Sequence, residues 1–143
     1  MPETSVDPQF ILAELIAKAQ ARVELESEQI IKQENSGFAI EHWHVLKALA
    51  QNGPMSMGEI HGITAINDST LTKLVDKLVR NAMVYRRPDE KDRRKIIIYA
   101  SAKGSDLADQ LSQRIMRRQK EFFPDVSVTD LKKMAAVLSE IAR

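Results

Sequence analysis

The stretch Asn67–Ala100, NDSTLTKLVDKLVRNAMVYRRPDEKDRRKIIIYA, decides the fold. Leu71, Leu74, Val75 and Leu78 recur at the spacing of one helix face. Ser69, Lys73, Asp76 and Arg80 occupy the opposite face, with Thr70, Thr72 and Lys77 on its flanks. Asn67 is a fitting N-cap, because its side-chain oxygen can accept from a first-turn N–H. After Ala82 the pattern changes to two runs of β-branched and aromatic residues, Val84–Arg87 and Lys95–Tyr99. Pro88-Asp89-Glu90-Lys91-Asp92-Arg93-Arg94 lies between them as a charged turn. A polar-faced helix followed by a basic-tipped hairpin is expected.

Working backwards, Ser56-Met57-Gly58-Glu59 is a capping box that opens a short helix to about Gly62, with Ile63–Ile66 as the turn into the next helix. Two short helices joined this way form a helix-turn-helix. A helix from Ile40 to about Gln51 precedes them and ends at Asn52-Gly53-Pro54. Asp7-Pro8 starts a long helix that runs to about Gln33 and is broken at Asn35-Ser36-Gly37; residues 1–6 are expected to be a loose tail. Its apolar band, including Phe10, Ile11, Leu12 and Leu15, is wider than one neighbour requires. Downstream, Ser101 caps a helix from Ala102 to about Phe122, which Pro124 stops. Ser127-Val128-Thr129-Asp130 starts the last helix, striped by Leu131, Met134, Ala135, Leu138 and Ile141.

The chain has 143 residues, enough for one domain with an ordinary core. Cysteine is absent, which excludes disulfides and thiolate metal sites. No apolar run is long enough for a membrane span and no secretory leader pattern opens the chain, so a cytoplasmic protein is expected. The net charge of +1 conceals a gradient: residues 1–60 carry 4 basic and 9 acidic side chains, residues 61–95 carry 9 and 5. Positive charge gathered on the helix–hairpin stretch suits a polyanion, although charge alone also fits a solvated face. No nucleotide loop, nucleophile–base constellation or cofactor motif is present, so catalysis is not expected. His42 and His44 point to different sides of one helix and His61 is distant in sequence, so no metal site is expected.

His42-Trp43-His44-Val45-Leu46, Ser69–Leu78 and above all Arg87–Arg94 followed by Ser101-Ala102-Lys103-Gly104 resemble the MarR (multiple antibiotic resistance regulator) family of bacterial transcription factors. The last block is similar to that family's wing signature, an Asp-x-Arg after a Pro-Asp turn and then a Ser/Thr-x-x-Gly helix start. The resemblance spans about residues 10–142. Two positions depart from it: Asn81-Ala82 stands where the family has Gly after the recognition helix, and Ala39 where it has a Ser or Thr cap. Asn81 is expected to take the left-handed conformation there.

The resemblance implies a mainly α chain with a small β-hairpin wing (α+β). It would be a single domain over residues 1–143, with a winged helix-turn-helix over about 40–100 and dimerisation helices over about 8–34 and 102–142. It implies a homodimer that binds a pseudo-palindromic double-stranded DNA operator, with repression as the default outcome. Ser69, Thr70, Thr72 and Lys73 would reach base edges, and Lys77, Arg86, Lys91 and Arg93 phosphates. Arg94 corresponds to the family's minor-groove arginine, with Asp92 orienting it. Family members often take a small phenolic or anionic effector; Phe10, His42 and Trp43 are the candidates here, although an aromatic at an apolar helix position more often packs in the core. The rival class is a winged helix that binds protein rather than DNA.

Overall fold

The computed structural model describes residues 7–34 and 36–143. The expected tail at 1–6 and the Asn35 part of the first helix break lie outside the described residues. The elements in order are α1 (Pro8–Gln33), α2 (Ile40–Asn52), β1 (Met55–Ser56), α3 (Met57–Thr64), α4 (Asp68–Arg80), β2 (Val84–Pro88), β3 (Ile96–Ala100), α5 (Ala102–Lys120) and α6 (Val128–Ile141). This is a mainly helical winged helix-turn-helix with a small antiparallel sheet.

Local chemistry starts most of the helices. Asp7 accepts from the Gln9 N–H at 2.9 Å, with Pro8 at the first position of α1. Ser56 and Glu59 form the reciprocal capping box, each bond 3.2 Å. Ser127 caps α6 through the Asp130 N–H at 3.1 Å. Ala39 has no oxygen to offer; instead the Nδ1 of His42 accepts the Ala39 N–H at 2.9 Å. A ring nitrogen can accept only through its lone pair, so Nδ1 carries no proton and the proton of the neutral ring sits on Nε2. Helix α5 ends at Lys120, two residues before expectation. The N–H groups of Glu121, Phe122 and Phe123 tighten onto carbonyls three residues back before Pro124.

The sheet holds a strand that sequence analysis does not anticipate. Its order is β1-β3-β2, with Met55 opposite Ile98 and Ser56 opposite Ile97. The hairpin register pairs Val84 with Ala100 and Pro88 with Ile96. One core joins Leu46 and Leu49 of α2, Ile60 of α3, Leu71, Val75 and Leu78 of α4, and Ile98 of β3. A second packs Ile30 and Ile31 of α1 with Ile40 and Trp43 of α2 and Leu111 and Ile115 of α5. Arg118 of α5 adds an ion pair to Glu26 of α1 at 3.0 Å.

The left-handed position after α4 is taken by Ala82 (φ 58°), not by Asn81 (φ −95°). The Met83 N–H reaches back to the Leu78 carbonyl at 2.9 Å and the Ala82 N–H to Val79 at 3.0 Å. That bond pattern closes the helix and places the positive φ on the residue before Met83. Ala65 (φ 56°) does the same after α3, which extends to Thr64.

Two segments find no core among the described residues. Phe10, Ile11, Leu12 and Leu15 of α1 are exposed, and α6 buries no residue while exposing Val128, Met134, Val137, Leu138 and Ile141. No described helix is long and apolar enough to cross a membrane.

Candidate nucleic-acid interface

Leu71, Leu74, Val75 and Leu78 are buried as the helical period requires, so the other face of α4 is presented outward. Asn67 accepts the Thr70 N–H at 2.9 Å and fixes the first turn. Asp68, Ser69, Thr70, Thr72 and Lys73 are exposed there. Ser69 donates its hydroxyl proton to the Asn67 side-chain oxygen at 3.0 Å, and Thr72 donates to the Asp68 carbonyl at 2.9 Å. Lys77 is engaged elsewhere. Its ammonium donates to the Gly37 carbonyl and lies 5.5 Å from the centre of the Phe38 ring, on the turn between α1 and α2.

The hairpin tip is held by its own carboxylates. The Asp89 N–H bonds the Lys95 carbonyl at 2.8 Å, and Asp89 Oδ1 accepts from the Lys91 N–H at 3.3 Å. Asp92 Oδ1 accepts from the Arg94 backbone N–H at 3.1 Å and stands 3.8 Å from the Arg94 Nε. The Arg94 side chain is 97% exposed, so its guanidinium projects from the tip while Asp92 restrains its root. Lys91, Arg93 and Lys95 are exposed beside it. Arg86, lower on β2, forms an ion pair with Asp76. Because Asp76 lies on the outward face of α4, this pair sets the wing beside that face. Tyr85 and Tyr99 stack across the hairpin with ring centres 5.1 Å apart, and the Arg87 guanidinium lies 5.0 Å over Tyr85.

Part of the sequence and the fold as a whole have counterparts among known proteins. Residues 39–96 match the sequence model of the MarR family. Over that stretch the chain is similar to the MarR family. Over 66 residues it is 35% identical to the HTH-type transcriptional repressor NicR of Pseudomonas putida, covering 46% of this chain and 42% of NicR. The chain spans about half the length of the curated relatives it matches. Among solved structures, a mutant MarR from E. coli complexed with operator DNA superposes with a TM-score of 0.78 at 16% identity, covering 92% of this chain and 94% of that one. NadR in complex with 4-hydroxyphenylacetate gives 0.81 at 19% identity, covering the whole of this chain and 99% of NadR. At such identities the structures speak for the fold.

The three residues singled out for an effector do not converge. Trp43 is buried, with its Nε1 donating to Ser112 Oγ at 3.2 Å and the Lys47 ammonium 4.9 Å over its ring. His42 is buried as the cap of α2, edge-on to Phe38. Burial pushes its imidazole below the ordinary histidine range, and the nearby Lys77 charge pushes the same way. Phe10 is exposed, twenty residues and therefore about 30 Å along α1 from Ile30, which packs with Trp43. A groove of about 370 Å³ lies between α1, α2 and the end of α3. It is lined by Glu24, His44, Lys47, Ile63 and Ile66 among others, with Glu24 and His44 3.3 Å apart across it. Sequence reasoning had no signal for the Asp76–Arg86 pair, nor for the place of Asp68 at the exposed tip of α4.

Proposed function

We propose that this chain is a sequence-specific double-stranded DNA-binding transcriptional regulator. It acts in the cytoplasm as a homodimer on a pseudo-palindromic operator, as a repressor relieved by a small molecule. The observation that carries this reading is the pairing of Asp76 with Arg86, which sets a projecting basic wing beside the polar face of α4. The first turn of α4 enters the major groove, with Ser69, Thr70, Thr72 and Lys73 at base edges. Arg94 enters the neighbouring minor groove, and Lys91 and Arg93 neutralise flanking phosphates. Lys77 and Arg86 hold the protein's own parts in place, through Gly37 and Asp76.

The second copy covers the apolar faces that α1 and α6 leave open. Two-fold symmetry then places two α4 helices one helical turn of duplex apart. The groove between α1, α2 and α3 suits a small phenolic or anionic effector. Lys47 supplies the cation, Ile63 and Ile66 the apolar floor, and an occupant would touch both α1 and the helix-turn-helix.

The test is fluorescence anisotropy with a duplex from the gene's own upstream region, across a salt series, on protein whose mass is followed by sedimentation. A dimer whose logarithmic affinity falls linearly with the logarithm of salt is expected. A dimer that retains no duplex at any salt concentration sinks the proposal and favours a protein partner for the wing.

A further inference from the structure

Asp68 is the first residue of α4, and its side chain is 91% exposed. A carboxylate here is costly for a surface that meets a polyanion, because phosphate oxygens accept hydrogen bonds and carry like charge. Its neighbours deepen the question. The Ser69 hydroxyl proton is used on Asn67 and the Thr72 hydroxyl proton on the Asp68 carbonyl. While those two donations hold, each hydroxyl offers its lone pairs and not its proton. The one basic side chain within 4 Å among the described residues is His61, whose Nδ1 stands 3.8 Å from the Asp68 carboxylate. That nitrogen is also 2.6 Å from the Ile66 carbonyl, which can only accept, so Nδ1 carries a proton and directs it there. The Asp68 oxygens keep their capacity to accept.

The tip of α4 thus shows three acceptors side by side at the place where such a helix reaches deepest. In a duplex, phosphates and sugar ring oxygens give no proton. The donors that the major groove displays are the N4 amine of cytosine and the N6 amine of adenine. We infer that Asp68 is a base-reading residue that accepts from a cytosine N4 amine in each half-site, with Ser69 and Thr72 accepting from amines of adjacent bases. The carboxylate favours cytosine over adenine because adenine presents an acceptor, N7, next to its amine, while the cytosine amine has no neighbouring acceptor on its own base. Lys73, about one turn on from Ser69, supplies the complementary donor for a guanine. This rests on the DNA-binding reading above and adds the base preference that the reading lacks.

The experiment selects duplexes from a pool with a randomised 24-base-pair core, separately with the wild-type protein, Asp68→Ala and Asp68→Asn. Wild type should enrich a cytosine at one position of each half-site. Asp68→Ala should lose roughly ten-fold of that preference while its affinity for mixed-sequence duplex rises, since a negative charge has gone. Asp68→Asn offers an acceptor and a donor together and should move the preference at that position from cytosine to adenine. Wild type and Asp68→Ala enriching the same base to the same extent overturns this inference and leaves DNA binding intact. Failure of every protein, wild type included, to retain any duplex overturns both.

Discussion

Gly104→Ala is the sharpest test of how the wing is joined to α5. A Cβ on Gly104 would stand 2.0 Å from the Met83 carbonyl oxygen and 2.9 Å from its carbonyl carbon. The first turn of α5 must therefore retreat by about 1 Å. The retreat pulls on Ser101, whose hydroxyl lies 2.6 Å from the Ala82 carbonyl and 3.0 Å from that of Met83, and accepts the Gly104 N–H at 3.0 Å. Overpacking of this kind costs about 1–3 kcal/mol, and a weakened cap about 1 kcal/mol more. Alanine returns up to about 1 kcal/mol of helix propensity. The net expectation is a loss of about 2 kcal/mol in urea unfolding at fixed protein concentration. Gly62→Ala is the control: no heavy atom lies within 4 Å of its added Cβ, and it should gain about 0.5–1 kcal/mol. If the Gly104 variant unfolds within about 0.5 kcal/mol of wild type, the close approach is not a constraint, and the account of Ser101-x-x-Gly104 as a joint fails.

Other consequences concern acid, DNA and the wing. His42 is held below the ordinary value of 6.5 by burial and by Lys77, so the unfolded chain takes up its proton first as pH falls. Its contribution to stability is complete above 6.5 and is lost as pH drops through the lower folded value. His42→Gln keeps an acceptor for the Ala39 N–H and should flatten that part of the pH–stability curve; an unchanged slope would refute the role. Arg94→Ala should weaken binding to a selected duplex by about 1–3 kcal/mol, as read by anisotropy, and equal affinity would remove the arginine from the minor groove. Asp76→Ala should cost under about 1 kcal/mol of stability, because the Arg86 pair is half-exposed. It should nevertheless speed amide hydrogen exchange in β2; unaltered exchange would mean that the pair does not restrain the wing.

The parts of the fold readable in sequence are those whose causes are local. The α4 stripe, the Asn67 and Ser56 caps and the two hairpin runs each follow from residues within one or two turns of each other. Strand β1 was hidden because two residues carry no period, and Met55 and Ser56 are a strand only through Ile98 and Ile97, more than forty positions away. The left-handed alanines were hidden for a related reason: the positive φ at Ala82 is imposed by the reach of Met83 to Leu78, whatever residue stands there. The cap of α2 was visible in principle, since an alanine that cannot cap is followed three residues later by a histidine that can accept. Lys77 and Arg86 show the limit for the site. Composition assigns both to the basic face, and only tertiary structure reveals Gly37 and Asp76 as their partners.

If a second copy covers the apolar stripes of α1 and α6, as proposed, there is a consequence for gene dosage. A chain whose outer helices need a twin has a foldedness that rises with its own abundance. In a cell holding few copies, solitary chains would be cleared by proteolysis, and occupancy of a target would follow the second power of the supply. Such a protein would register how much of itself has been made before it registers anything else.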